Sequence, residues 1–180
     1  VRTPSYAQLS GSGTWSVPSG VDSAEILIVA GGASGTKSQN VGSGGGGAGG
    51  IVYKASYTFT STDKSSGIGY SVGAGGNGVG SSTHSLPYDG GFNNGEDTTF
   101  AISGGTITAK GGGGGGGYGG NSPHYGGNSV TPAFSQSYFA SATGGSGGGG
   151  AWNSLSGASS NQGTFSGWTS YGNAGGTFNT

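Results

Sequence analysis

Ser146 is the residue whose neighbours come closest to a catalytic motif. The stretch Gly144-Gly145-Ser146-Gly147-Gly148 matches Gly-x-Ser-x-Gly, in which a sharp strand-to-helix turn exposes a nucleophilic serine hydroxyl. That chemistry also needs a base, and the chain offers only His84 and His124. No strand-then-helix pattern surrounds Ser146, and a glycine-rich chain produces this match by chance. We therefore predict that the protein is not an enzyme.

Acidic and amide side chains near residue 95 could supply oxygen ligands to Ca²⁺. They are Asp89, Glu96 and Asp97, beside Asn93 and Asn94. Their spacing fits no known calcium loop, so we interpret them as a solvated turn. Strings resembling Gly-x-Gly-x-x-Gly also occur, but no βαβ pattern accompanies them. The sequence predicts no catalytic residue, no metal site and no cofactor.

Charge and hydropathy restrict the partners. Only 6% of the residues are charged and the formal net charge is −1, so the chain has no basic patch for a nucleic acid. No apolar run approaches the roughly 18 residues of a membrane-spanning helix. The chain has neither Cys nor Met, a composition that tolerates an oxidising exterior, and it begins at Val1 as a processed form or a fragment would. We expect no nucleic-acid partner and no membrane insertion.

Glycine is the main structural material of the chain. The 48 glycines form several clusters, of which Gly111 to Gly117 is the longest run, and 9 Tyr, 7 Phe and 3 Trp stand among them. Ordering each backbone unit costs about 1–2 kcal/mol, which glycine cannot recover by side-chain burial. Backbone hydrogen bonds between closely packed segments can recover it. The clusters therefore predict packed helices of the three-residue-per-turn type rather than flexible linkers.

The remaining pattern predicts strands in the first two-thirds of the chain and almost no helix. Residues 14–17 should pair as a hairpin with 24–30, an apolar run typical of a strand covered on both faces. Residues 51–60 alternate, which predicts Ile51, Tyr53, Ala55, Tyr57 and Phe59 on one face. A polar turn at 61–67 precedes a strand at 68–72. A second hairpin joins 98–102 to 106–109 through Ser103-Gly104-Gly105.

Together these patterns predict an all-β fold with little or no α-helix. We expect a sheet or sandwich-like N-terminal part with packed polyglycine-II helices against it. The predicted divisions are an arm at 1–12, which could be exchanged between subunits, a β-rich part at 13–110 and a glycine-rich part at 111–180. The three parts are expected to form one structural domain overall.

Several ordered motifs resemble the glycine-rich domain of phage tail-fibre, other virion and bacterial surface proteins. The motifs are TWSVPSGV (14–21), EILIVAGGASG (25–35), GSGGGGAGGIVY (42–53), YSVGAGGNG (70–78), ITAKGGGGGGGYGGN (107–121) and GNAGG (172–176). The resemblance implies a β part followed by polyglycine-II helices, and an extracellular or virion-surface location. Related glycine-rich adhesins of T-even-like phages contact the host receptor through loops between such helices.

Two function classes follow. The first is a structural subunit of an extracellular or virion fibre, which assembles with copies of itself through β-edges and glycine-rich packing. The second is a receptor-binding adhesin that contacts a bacterial cell-surface receptor or glycan. By resemblance, the contacts would come from aromatic segments between glycine runs. The alternative is that these rings cover glycine helices or fill a subunit interface. The candidate surface-binding residues are Tyr88, Phe92, His124, Tyr125, Phe134, Tyr138, Phe139, Trp168 and Tyr171.

Overall fold

The computed structural model describes residues 6–36, 43–78, 93–118, 138–139, 141–151 and 156–177. Within these ranges one helix, α1 (Ser61–Ser66), accompanies the strands. The strands are β1 (Ser12–Trp15), β2 (Ser23–Val29), β3 (Ile51–Thr58), β4 (Ile68–Ser71), β5 (Thr98–Ile102), β6 (Gly105–Ala109), β7 (Gly117–Tyr118), β8 (Tyr138–Phe139) and β9 (Thr169–Tyr171). The all-β prediction is confirmed.

Two antiparallel sheets enclose the core. One sheet has the order β1-β4-β5-β6 and the other has the order β2-β3-β9, while β7 and β8 form a separate pair. Their inner faces contribute to one apolar cluster, in which Val52 and Ile68 are fully buried. Trp15 of the first sheet meets Phe59, just beyond β3, with ring centroids 5.6 Å apart. Aromatic rings therefore span the two layers of a small sandwich.

The predicted strands form, but not all pair as predicted. The β5–β6 hairpin is confirmed, with Phe100 opposite Ile107. The hairpin between the first two strands is wrong, because β1 pairs with β4 and β2 pairs with β3. After β1 the chain turns at Pro18, whose carbonyl accepts the Val21 N–H at 3.1 Å, and crosses to the other sheet. The sequence pattern does not predict β9, because its three residues lie between glycine clusters and carry little strand signal.

A β-bulge overturns the predicted single face of residues 51–59. Tyr57 lies opposite Ala24, but Lys54 lies opposite Ile26, so β3 holds one extra residue between these pairs. The alternation reverses at the bulge, because one added residue turns all later side chains to the other face. Val52 therefore faces the core before the bulge and Phe59 after it. Ile51 and Tyr53 point away from the core.

The polar turn predicted at 61–67 contains α1, which a capping box starts. The Thr60 hydroxyl accepts the Asp63 N–H at 3.1 Å, and the Asp63 carboxylate accepts the Thr60 N–H at 2.9 Å. The same carboxylate accepts the Tyr57 hydroxyl at 2.8 Å and the Ser103 N–H at 2.7 Å. Asp63, only 2% exposed, thus ties α1 to β3 and to the β5–β6 turn.

The environment of Asp63 changes the acidity of its carboxyl. Burial by itself raises the pKa of Asp63, but the hydrogen bonds donated by Thr60, Ser103 and Tyr57 outweigh it and lower the pKa below 3.8. A depressed folded-state pKa stabilises the fold fully above the unfolded-state pKa. This contribution is lost as the pH falls through the folded-state pKa.

Asp63→Asn should therefore lower the free energy of unfolding at pH 7 by about 2 kcal/mol, because the variant weakens several buried hydrogen bonds to a charged acceptor. It should also reduce the loss of stability in acid. Urea unfolding of both proteins between pH 7 and pH 2 measures this. Glu25→Gln, at an exposed position bonded to Tyr53, is the control and should change stability by less than about 0.5 kcal/mol. Equal acid sensitivity of Asp63→Asn and the wild-type chain would contradict the assignment.

Candidate functional site

The strands of the sandwich continue into glycine-rich segments, which we call rods. Their bonds leave each segment for its neighbours, as the backbone groups of a polyproline-type helix must. They are rod 1 (30–36), rod 2 (43–50), rod 3 (73–78), rod 4 (93–97), rod 5 (110–116), rod 6 (144–150), rod 7 (156–161) and rod 8 (172–177).

Rods 2 and 5 show the three-residue period of polyglycine II. The N–H groups of Gly44, Gly47 and Gly50 donate to the carbonyls of Gly116, Gly113 and Lys110, each at 2.7 Å. Rods 1 and 2 repeat the pattern, with the N–H groups at 30, 33 and 36 donating to the carbonyls at 50, 47 and 44. A three-fold helix brings every third residue to the same neighbour. The prediction of packed polyglycine-II helices is confirmed.

Rod 5 lies at the centre of the bundle. Residues 111–116 are buried, and every carbonyl from Lys110 to Gly116 accepts a hydrogen bond. The donors come from rods 1, 2, 4 and 6 and from Ala142. The carbonyl groups of the longest described glycine run are thus all satisfied by its neighbours, which offsets the entropy of ordering it.

Side chains, two of them from rod 4, accept several of the backbone N–H groups of rod 5. The Asp97 carboxylate accepts the Gly111 N–H at 2.8 Å, and the Asn94 side chain accepts the Gly114 N–H at 2.9 Å. The Gln162 side chain accepts the Lys110 N–H at 2.8 Å. The Asp97 carboxylate also pairs with the Lys110 ammonium at 2.6 Å. These polar side chains complete the bundle, so Asp97 and Asn94 belong to backbone packing rather than to a solvated turn.

Ser146 has a similar structural role. Its N–H donates to the Ala48 carbonyl at 2.9 Å, and its carbonyl accepts the Gly113 N–H at 3.0 Å. Neither His84 nor His124 is among the described residues. Within the described part of the chain, no group of three His, Cys, Asp or Glu residues could hold a metal ion. No helix there is long and apolar enough to cross a membrane.

All rods reach one end of the bundle, which we call the distal end. Thr36 N–H donates to Gly44, Gly44 N–H to Gly116 and Gly116 N–H to Gly149, so these residues share one level. The Ser34–Asn93 and Gly150–Gly176 bonds place rods 4 and 8 in the same direction. The described chain leaves the distal end after Thr36, Gly78, Tyr118, Ala151 and Thr177, and returns at Ser43, Asn93, Tyr138 and Ser156.

The candidate surface-binding residues divide into two groups. Tyr88, Phe92, His124, Tyr125 and Phe134 lie outside the described residues. Tyr138 and Phe139 form β8, which pairs with β7 directly beyond rod 5. Trp168 and Tyr171 lie in or beside β9 at the sandwich. The structure therefore does not bring these last two together with β8.

Trp168 and Tyr171 face opposite sides of their sheet. Trp168 is half-buried and packs on Tyr57, with ring centroids 5.9 Å apart. Burial and a hydrogen bond to Asp63 raise the pKa of Tyr57, whose ring is part of this cluster. Tyr171 pairs with Ile51 on the outer side and is 54% exposed. Trp168 thus helps to cover the core, whereas Tyr171 is accessible.

Tyr171 belongs to an apolar outer face that was not predicted. Leu27 lies opposite Tyr53, and Val29 lies opposite Ile51, which in turn lies opposite Tyr171. Leu27 is 63% exposed and Val29 is 47% exposed, so β2 is not covered on both faces as its sequence predicts. We call Leu27, Val29, Ile51, Tyr53 and Tyr171 the outer face. Simple alternation of residue types does not reveal the bulge in β3, which turns Ile51 and Tyr53 outward.

The close approach of the rods makes a direct prediction. A Cβ on Gly47 would lie well inside 3.0 Å of the Ser146 carbonyl oxygen, whereas a Cβ on Gly45 would meet nothing within 4 Å. Gly47→Ala should lower the free energy of unfolding by about 3 kcal/mol, because two backbones must separate. Gly45→Ala, in the same rod, should leave stability unchanged or raise it by up to about 1 kcal/mol. Thermal unfolding of the two variants measures these changes. Similar losses of stability in Gly47→Ala and Gly45→Ala would argue against close-packed rods.

The different environments of Trp168 and Tyr171 lead to another prediction. Trp168→Ala should lower the free energy of unfolding by about 2–3 kcal/mol, below the cost for a fully buried tryptophan, because it removes a half-buried ring from Tyr57. Tyr171→Ala should change the stability of the dilute protein by less than about 1 kcal/mol. Denaturant unfolding measures both. A stable Trp168→Ala variant would favour a binding role for Trp168 over a packing role.

Comparison with known protein families identifies one match. A family model described as a glycine-rich domain matches residues 7–180, which is nearly the whole chain. No match was found among curated proteins or among solved structures. With its sandwich, its interlocked rods and this match, the chain belongs to the glycine-rich domain family.

Proposed function

We propose that this chain is a structural subunit of an extracellular or virion fibre or filament, which assembles with copies of itself. The edges of its sheets carry the proposal. Within the described residues, β1 and β6 end one sheet and β2 and β9 end the other, and Glu25 is the one charged residue on these four strands. Monomeric β proteins commonly protect edges with lysine or proline. The Thr108 carbonyl of β6 accepts the Gln162 side-chain N–H at 3.2 Å, whereas β1, β2 and β9 carry no lysine or proline, which favours pairing between copies at these edges.

The arm at 1–12 is a further part of this proposal. Tyr6, the first described residue, is 92% exposed, so its ring makes little contact within its own chain. In the described part of the arm, Leu9 packs against the apolar core and the Gly11 carbonyl accepts the Val72 N–H at 2.7 Å. An extended segment of this kind could add a strand to a neighbouring sheet.

The rod bundle suits a fibre because its order comes from the backbone. Neighbouring rods hold one another through hydrogen bonds at many levels, and few charged side chains oppose the approach of another copy. The family resemblance to phage tail-fibre and bacterial surface proteins supports the same assignment and an extracellular or virion-surface location. The proposed partners are copies of the chain.

A receptor-binding adhesin is the second candidate function. It is favoured by the distal end, where the described chain repeatedly leaves and re-enters the bundle. A stiff bundle that sends its connections to one end could present them to a bacterial surface receptor or glycan. In this case the bundle would be a platform, and the contacts would come from residues between the rods.

Electron microscopy of the purified chain tests the first proposal. We expect filaments or defined oligomers, and fewer of them when Thr14→Lys and Thr106→Lys place charges on the exposed edge strands β1 and β6. Thr62→Lys with Thr164→Lys, two exposed sites outside the strands, is the matched control. A dispersed monomer with a protease-sensitive arm would refute the fibre proposal. Selective binding of that monomer to bacterial cells would instead support the adhesin.

A further inference from the structure

We propose that Asn77 and Gly78, at the distal end of rod 3, form a site of spontaneous deamidation. An asparagine followed by glycine is the pair in which the backbone nitrogen attacks the side-chain amide with least hindrance, because glycine has no Cβ. The chain contains two such pairs, Asn77-Gly78 and Asn94-Gly95, and the structure gives them opposite environments. The modification does not depend on whether the chain is a fibre subunit or an adhesin.

The reaction needs only water and the two residues of the pair. The Gly78 nitrogen loses its proton to hydroxide and forms a bond to Cγ of Asn77. The bond between Cγ and Nδ2 then breaks, and Nδ2 leaves as ammonia with a proton from water. This closes a succinimide ring. Water opens the ring at the side-chain carbonyl to give aspartate, or at the main-chain carbonyl to give isoaspartate.

The Asn77-Gly78 pair is free to reach the geometry of ring closure. Both residues are exposed, and a Cβ on Gly78 would meet nothing within 4 Å. Gly76, just before the pair, donates its N–H to the Gly32 carbonyl at 2.8 Å. The Asn77 carbonyl accepts the Asn93 side-chain N–H at 2.7 Å in an exposed position. Rotation about the Cα–C bond of Asn77 displaces this hydrogen bond, for which water can substitute.

The Asn94-Gly95 pair is held inside the bundle. The Gly95 N–H donates to the Gly112 carbonyl at 3.0 Å, and the Asn94 side-chain oxygen accepts the Gly114 N–H at 2.9 Å. Both residues of the pair are half-buried, and a Cβ on Gly95 would come well inside 3.0 Å of the Gly31 carbonyl oxygen. The nitrogen that must attack is therefore bonded to rod 5. Asn94 can react only in molecules in which the rods have opened locally.

Deamidation changes the charge and the backbone of the distal end. The unmodified chain has a formal net charge of −1, and either product adds one negative charge at neutral pH. Isoaspartate also lengthens the main chain by the side-chain methylene, so Gly78 is shifted relative to rod 3. The described chain leaves the bundle at Gly78, so the altered residue lies where this rod ends. Aged protein therefore accumulates more acidic copies that differ at the distal end.

Peptide mapping of the folded full-length chain tests the site. The protein is held at physiological temperature and mildly alkaline pH, digested in mild acid, and analysed by mass spectrometry for conversion of each asparagine. Enzymatic methylation of isoaspartate is a second readout. We expect Asn77 to deamidate at least about tenfold faster than Asn94, because local opening must precede reaction of the protected pair. In denaturant the two rates should become similar, since the bundle no longer protects Asn94.

Gly78→Ala tests the identity of the attacking nitrogen. The added methyl group has open space around it, so the variant should fold normally, which circular dichroism checks. The same methyl group hinders ring closure, so deamidation at Asn77 should slow several-fold while Asn94 keeps its rate. Isoelectric focusing of aged protein should show acidic species in the wild-type chain and fewer of them in Gly78→Ala.

Three results would overturn the inference. The first is equal deamidation of Asn77 and Asn94 in the folded chain. The second is an intact Asn77 in the folded chain over the time in which the denatured chain deamidates at both sites. The third is an unchanged rate at Asn77 in Gly78→Ala, which would show that the Gly78 nitrogen is not the nucleophile. The comparison of the two asparagines in the wild-type chain requires no variant to fold.

Discussion

The absence of Cβ atoms at the rod contacts is the constraint on which the structure depends. A Cβ on Gly111, Gly112, Gly113 or Gly115 would come well inside 3.0 Å of a neighbouring carbonyl oxygen. Without it, backbones approach closely enough for N–H and C=O groups of different rods to pair directly. The bundle replaces the apolar interior of an ordinary domain with a hydrogen-bonded one. This explains how a chain with 29% hydrophobic residues can be ordered.

The sandwich and the bundle are continuous structures. The last pair of the β2–β3 ladder joins Val29 and Ile51, and the next bond joins Ala30 to Gly50 in rods 1 and 2. The pairing of β2 with β3 thus sets the register between rods 1 and 2, and the apolar core fixes the positions at which these rods begin. Asp63 secures the opposite side of the sandwich by joining α1 to the β5–β6 turn. Two small units of different chemistry therefore stabilise each other.

This division also separates the surfaces. The bundle exposes mainly backbone and small polar residues, and its distal end is where the described chain repeatedly exits. The sandwich exposes strand edges and one apolar sheet face. Assembly through the sandwich and presentation at the distal end are compatible, because they use opposite ends of the molecule. One architecture is therefore compatible with both proposed functions, that of a fibre subunit and that of a receptor-binding module.

Local residue types were sufficient to predict some features. The glycine runs predicted packed three-fold rods, since extended glycine segments have no internal hydrogen bonds and can pair with one another. Residue patterns also located most strands to within two residues. Three-dimensional contacts decided the rest. Three features depend on residues far apart in the chain: the bulge that turns Tyr53 to the outer side, the pairing of β1 with β4, and the packing of Trp168 on Tyr57 while Tyr171 stays exposed. Periodicity shows at which spacing apolar side chains recur along the chain, but only tertiary packing determines which layer covers each of them.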